Sequence, residues 1–207
     1  MCFNSVRKAF LPAKDNRFST CFTDNLSFRF GGSETWDLLF IRFKSLGFKG
    51  AVTGAEGSGK TTFMLQFGQY LKSKGFPIFY LRLSEDQKSG HLFSFYKALK
   101  KYKASEILLL DGYEQLDAFS RMFLKWRARN IKGLLISCHM KAPCKVLHHC
   151  ETSPELLREL LRSLTGNEQF ISTEDSELLL EKSGGNVRGA LRTLYDYEAS
   201  QLKFSFQ

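Results

Sequence analysis

From Ser33 onward, apolar residues recur at helical spacing, at Trp36, Leu39, Phe40 and Phe43, and the run ends near Gly47. An amphipathic helix thus precedes the first strand, Lys49 to Thr53. Gly54 to Thr61 reads as a loop. The next helix carries Phe63, Met64, Phe67, Tyr70 and Leu71 on one face and is stopped by Gly75. Pro77 to Leu83 reads as a second strand, and His91 to Tyr102 as a helix with Lys97, Lys100, Lys101 and Lys103 toward its end, where cations complement the helix dipole. Glu106 to Leu110 is a continuous apolar strand ending at Asp111. Leu116, Phe119, Met122, Phe123 and Trp126 then mark the apolar face of a further helix, and Gly133 to Ser137 is a fourth buried strand.

Strands alternating with helices predict an α/β fold, a parallel sheet with helices on both faces that binds ligands at the carboxyl ends of its strands. Those ends are Gly54, Asp111 and Ser137. From Ser153 the pattern turns all-helical, with Leu157, Leu160, Leu161 and Leu164 in one helix, Leu178 to Leu180 in a second, and Val187, Ala190, Leu191 and Leu194 in a third. The expected organisation is an N-terminal arm over 1–30 without clean periodicity, an α/β core over 31–151, a small helical subdomain over 152–200 and a tail over 201–207. No internal repeat or low-complexity tract interrupts it.

Composition narrows the classes further. The 207 residues are 43% apolar and 25% charged with only four Pro, which excludes a disordered or linker-dominated chain. No stretch reaches the roughly 18 uncharged apolar residues of a membrane span, and Met1 to Lys14 has no apolar run of signal-peptide length, so the cytoplasm is the default and no membrane partner is expected. The formal charge of +9 favours phosphate contacts, whether of a small nucleotide or of nucleic acid. Five Cys are expected as free thiols, and most of the 20 Phe belong in the core.

The strongest chemical signal is Gly54-Ala-Glu-Gly-Ser-Gly-Lys60-Thr61, which fits G-x-x-x-x-G-K-[ST] at every fixed position. It leaves a strand and enters a helix, so its glycines let successive amides curl around a phosphate at the positive end of that helix. Lys60 is placed to reach the β and γ phosphates, and Thr61 to ligate Mg²⁺. The expected nucleotide contacts are Gly54, Ala55, Glu56, Gly57, Ser58, Gly59, Lys60, Thr61 and Thr62, with ATP and Mg²⁺ as cofactors.

Ile107-Leu-Leu-Leu-Asp111 delivers a carboxylate to the same edge, one strand and one helix beyond the loop, where it holds Mg²⁺ through water; Thr61 and Asp111 are therefore the expected metal residues. Many ATPases place a water-activating Glu directly after this Asp, but here that position is Gly112. Glu114 is the nearest replacement, as a base if the turn bends it back toward the γ-phosphate and as a structural residue otherwise. Ser137 ends its strand where a hydroxyl can feel the γ-phosphate or the attacking water, with His139 a competing candidate. Arg188 and Arg192 lie opposite the apolar face of the last helix, either reaching the nucleotide or forming a solvated basic face.

Together these residues resemble the AAA+ class of P-loop ATPases over roughly residues 31–198: Walker A at Gly54 to Thr61, Walker B at Asp111, a sensor 1 position at Ser137, and a sensor 2 sequence, Gly185-Asn186-x-Arg188, in a helical lid. The likeness is to compact bacterial initiator-like and regulatory members. It implies nucleotide between core and lid, Phe28 to Gly32 near the adenine, and catalytic roles for Lys60, Asp111, Glu114, Ser137 and Arg188. Two features depart from the class: Gly112, and the eight residues between Ser137 and Val146, where oligomeric motors carry a helix and an arginine finger. Ring-forming, force-generating function is not expected.

Cys138, His139, Cys144, His148, His149 and Cys150 crowd together but match no zinc spacing, and read as buried thiols and surface histidines. The basic stretches 97–103 and 121–132 read as solvated helix faces because they lack interleaved exposed aromatics. The leading function is an ATP-binding, slowly hydrolysing switch that reports its ATP or ADP state to a protein partner. A small-molecule phosphotransferase and a DNA- or RNA-binding module with a secondary ATP site remain open.

Overall fold

The computed structural model describes residues 11–83, 91–139 and 141–200. The tail expected over 201–207 and the first ten residues of the expected arm lie outside them. The chain divides into two compact units, Phe28–Glu151 and a second that joins the described residues up to Ser27 with those from Thr152 onward.

The first unit is α/β. Helix α2, Trp36–Ser45, begins at Thr35, whose hydroxyl accepts from the amide of Leu38. Strand β1 (Lys49–Gly54), helix α3 (Lys60–Ser73), β2 (Ile78–Arg82), α4 (His91–Lys101), β3 (Ile107–Asp111), α5 (Ala118–Arg127), β4 (Gly133–Cys138) and β5 (Val146–Cys150) follow. Among the described residues the five strands form one parallel sheet in the order β2-β3-β4-β1-β5. Strand β3 shows why both faces are covered: Ile107 and Leu109 enter the core beneath α2 and α3, while Leu108 and Leu110 enter the opposite core with Phe95 and Leu99 of α4. The order sets β3, β4 and β1 side by side, so the ends at Asp111, Ser137 and Gly54 are neighbours.

One helix turns a different face inward from the face expected. Asp117 caps α5 by accepting from the amide of Ser120 at 2.7 Å, which sets the phase of the helix. Leu116 is already spent in the core before the helix begins, and Ser120 and Leu124, four apart, are the buried pair. Phe119, Met122 and Trp126 are 69%, 62% and 55% exposed, and Phe123 packs half-buried on Tyr96 of α4. Arg121, Lys125 and Arg129 are exposed beside them. The stretch 121–132 therefore carries one exposed aromatic, Trp126, with Phe119 exposed just before it, on the helix whose apolar face was expected to be buried.

The second unit is helical: α1 (Thr20–Thr23), α6 (Pro154–Thr165), α7 (Thr173–Lys182) and α8 (Val187–Ala199). Ser153, Ser172 and Asn186 cap the three longer helices by accepting from the amides of Leu156, Asp175 and Gly189. Leu157, Leu161, Leu179, Leu191 and Leu194 form its core, and Phe18 from the N-terminal segment completes it. That segment is fixed by Asn16 Nδ2 donating to the carbonyl of Tyr195 at 2.9 Å and by the Arg17–Glu198 ion pair at 2.9 Å.

Candidate functional site

The loop between β1 and α3 is shaped by close approach. A side chain on Gly54 would sit 2.5 Å from the carbonyl oxygen of Cys150 and from Ser58 Oγ, so only glycine fits where β1 ends. Gly57 and Gly59 also have positive φ, and Gly59 leads directly into α3. Lys60 is 9% exposed, its ammonium donating to the carbonyls of Gly54 at 2.8 Å and Ala55 at 2.7 Å. Ala55 and Glu56 are exposed and Thr62 is half-buried. Ser58 Oγ is buried without a hydrogen-bond partner. A hydroxyl, an ammonium and the first amides of a fourteen-residue helix thus lie in one loop, a donor set suited to a phosphate.

Asp111 joins the loop to the neighbouring strands. Thr61 Oγ1 donates to its Oδ2 at 2.8 Å, Ser137 Oγ donates to its Oδ1 at 2.5 Å, and the amide of Gly112 donates to the same serine oxygen at 2.8 Å. Ser137 is buried and spans the two strand ends. Tyr80, which sequence reasoning missed, donates its hydroxyl to Asp111 Oδ2 at 3.1 Å, and Arg82 Nε stands 4.0 Å from that oxygen. Burial, then the Asp111 charge, push the Tyr80 hydroxyl well above the usual tyrosine range, so it remains a donor. Among the described residues no group of three His, Cys, Asp or Glu side chains could hold a metal. A magnesium ion needs less protein than that: Thr61 and Asp111 are the oxygen donors present, and Mg²⁺ at such sites keeps waters and substrate phosphates for its remaining positions.

Gly112 and Glu114 form a tight turn. Gly112 has φ of 90°, and a side chain there would meet the Leu83 carbonyl oxygen at 2.6 Å, which accounts for the missing acidic residue. The 3₁₀ turn Tyr113–Gln115 follows and carries Glu114 back over β4, where its Oε1 lies 2.8 Å from His139 Nε2. His139 in turn accepts on its carbonyl from the amide of Gly54 at 3.2 Å.

A cluster of rings lies beside the loop. The Phe28 ring is 3.5 Å from where a Gly59 side chain would begin, and it meets Phe63 edge-on at 5.2 Å. His148 stacks on Phe63 with ring centroids 4.8 Å apart and its Nδ1 2.6 Å from Glu34, which also pairs with Arg42 at 2.7 Å. Burial lowers the His148 pKa, outweighing Glu34, which raises it. His149 pairs instead with Thr53 Oγ1 at 2.8 Å. Of the remaining cluster, burial raises the Cys138 thiol, pushes Cys144 up to about 11 and pushes Cys150 up to about 12.

Arg188 belongs to the helical unit, exposed on α8 one turn from Arg192, which is also exposed.

Neither a protein-family model nor a curated protein matches the chain by sequence. Solved structures do. The replication initiator DnaA bound to AMPPCP and single-stranded DNA aligns over 85% of this chain and 64% of its own, at 17% identity and a TM-score of 0.56. AMPPCP-bound DnaA from Aquifex aeolicus aligns over the same shares at 16% identity and a TM-score of 0.54. The α/β fold, a five-stranded parallel sheet with helices, matches that of these AAA+ P-loop domains. The chain spans about two thirds of the length of those two proteins. Among the described residues no helix is long and apolar enough to cross a membrane.

Proposed function

We propose that this chain binds ATP with Mg²⁺ and hydrolyses it slowly, as a nucleotide-dependent switch of the initiator-like or regulatory AAA+ kind. One observation carries the reading: Lys60, Thr61 and Asp111 are assembled at neighbouring strand ends, with Thr61 bonded to Asp111 at 2.8 Å, beneath a loop rich in phosphate donors. Mg²⁺ held by Thr61 and Asp111 would offset the charge of the phosphates. Water attack on the γ-phosphorus breaks its bond to the β,γ-bridging oxygen, and Glu114 is the carboxylate that takes the water proton. Titration with ATP, ADP and GTP tests this reading. Lys60→Ala should abolish or greatly weaken ATP binding in a folded chain, and unchanged affinity would sink it.

A second reading, that the chain also binds single-stranded nucleic acid, is favoured by α5. Phe119, Met122 and Trp126 form an exposed apolar row beside Arg121, Lys125 and Arg129, which suits stacked bases and phosphates. One of the similar DnaA structures holds single-stranded DNA. Anisotropy of a labelled oligonucleotide should rise with the chain and fall with salt, and Trp126→Ala with Lys125→Glu should remove the response. Affinity indifferent to that pair of changes would exclude α5 as the site.

A further inference from the structure

The geometry points to His139 as the residue that positions Glu114 for water activation, so that a Glu–His pair does the work usually given to an acidic residue directly after the Walker B aspartate. The inference rests on the hydrolytic reading above.

Four observations carry it. Gly112 cannot take a side chain without displacing the Leu83 carbonyl, so a base must come from elsewhere. The 3₁₀ turn supplies it, and that turn is held by Gln115 N donating to Gly112 O at 3.0 Å and by Arg121 Nη2 donating to Glu114 O at 2.9 Å. The two Glu114 oxygens then have different fates. Oε1 accepts from His139 Nε2 at 2.8 Å, whereas Oε2 is buried with no partner. Leaving a buried carboxylate oxygen unpaired is costly, and this oxygen, like the unpaired Ser58 hydroxyl of the neighbouring loop, is open to a ligand atom. Finally, His139 is tied by its backbone to Gly54, the first residue of the loop between β1 and α3, so the pair is referenced to that loop and not to a remote element.

The Cys138 thiol supports the placement. Burial raises its pKa most, but the charge of Glu114 adds to the rise while that of Lys60 opposes it, so carboxylate and ammonium both act on this one side chain. Glu114 has a flexible side chain, and pairing one oxygen removes the rotamers that would turn the other away from the water. In the step itself the water oxygen bonds to the γ-phosphorus, its proton passes to Glu114 Oε2, and the β,γ-bridging oxygen leaves with ADP. His139 keeps its Nε2 proton throughout, which makes it a positioning residue.

Glu114→Gln, His139→Ala, His139→Gln and the double variant Glu114→Gln/His139→Ala test the pair, each checked for fold by circular dichroism. His139→Ala should lower kcat for phosphate release roughly ten- to a hundredfold with ATP affinity unchanged, and His139→Gln, which keeps an N–H donor, should recover most of it. The double variant should be no slower than Glu114→Gln alone, because the residues act as one unit. In the nucleotide-free chain, the ring-nitrogen NMR signals of His139 should show a proton on Nε2 and should shift in Glu114→Gln. A kcat unaffected by His139→Ala while Glu114→Gln is slow, or His139 signals indifferent to Glu114→Gln, would overturn the positioning role and leave the base intact. Glu114→Gln turning over like the wild type would overturn the base itself and this assignment with it.

Discussion

Restoring the missing acidic residue should damage the protein and not activate it. Gly112 sits at φ 90° and ψ 43°, close to the left-handed region, where a residue bearing a Cβ costs roughly 1–2 kcal/mol. Its Cβ would also lie 2.6 Å from the Leu83 carbonyl oxygen. That oxygen is backbone, and Leu83 is anchored by its own amide donating to the Asp111 carbonyl at 2.9 Å, so it cannot swing aside as a side-chain tip could. Overpacking of this kind adds about 1–3 kcal/mol. The sum, roughly 2–5 kcal/mol, applies to Gly112→Ala and at least equally to Gly112→Glu. With a urea m-value of about 2 kcal/mol per molar, the midpoint should fall by ~1–2.5 M. The assay is selective, because both tryptophans, Trp36 and Trp126, lie in the α/β unit and their fluorescence reports its unfolding alone. A Gly112→Ala midpoint within ~0.3 M of wild type would refute the steric argument. So would a Gly112→Glu variant of undiminished stability that hydrolyses ATP faster.

Asp111→Asn should weaken Mg²⁺-dependent binding or turnover, since the amide keeps the shape and loses the charge; wild-type activity indifferent to Mg²⁺ would refute that role. Tyr80→Phe removes a hydrogen bond to Asp111 Oδ2, and should cost about 1.5–3 kcal/mol of stability by urea titration, the range for bonds to a charged group. Turnover should be far below ~10 s⁻¹ and, per molecule, constant over a hundredfold range of protein concentration, because the described residues among the eight between Ser137 and Val146 hold no helix to carry an arginine finger from one copy to another; a rate climbing steeply with concentration would reveal a group donated between copies, with Arg127 and Arg129 the first to test. Cys144 and Cys150 keep their protons to about pH 11 and 12, whereas in the unfolded chain they ionise near 9.0. The folded state then binds more protons, so stability should fall as pH rises from about 9 toward 12, and replacing both with Ala should flatten that part of the urea midpoint profile.

The loop between β1 and α3 was legible because its motif fixes residue types at fixed spacing, and Lys49 to Thr53 before it and Phe63 to Leu71 after it have opposite periods. The sheet edge was legible for a similar reason: Asp111 and Ser137 each end an apolar run. What alternation and periodicity could not supply is phase and register. Phe119, Met122 and Trp126 repeat as a core stripe does, and only the Asp117 cap together with Leu116 shows that Ser120 and Leu124 face inward instead. Tyr80 reaches Asp111 only because β2 runs beside β3 with Arg82 opposite Asp111, a pairing between segments that share no local signal. The Glu114–His139 bond depends on a turn of three residues and on β4 lying between β3 and β1, neither of which leaves a mark in the linear pattern.

The residues around Phe18 have a consequence for biosynthesis. Asn16 and Arg17 find their partners in Tyr195 and Glu198, separated from them by 179 and 181 positions, while the α/β unit is one uninterrupted stretch between. At ribosomal rates of roughly 5–20 residues per second, the N-terminal segment waits on the order of 10–40 s for the helix it completes. During that interval Phe18 has no core to enter, and Phe28–Glu151 can emerge and fold first. The helical unit is therefore the last to close, and a nascent chain halted before α8 should present Phe18 to chaperones and proteases after the sheet has already folded.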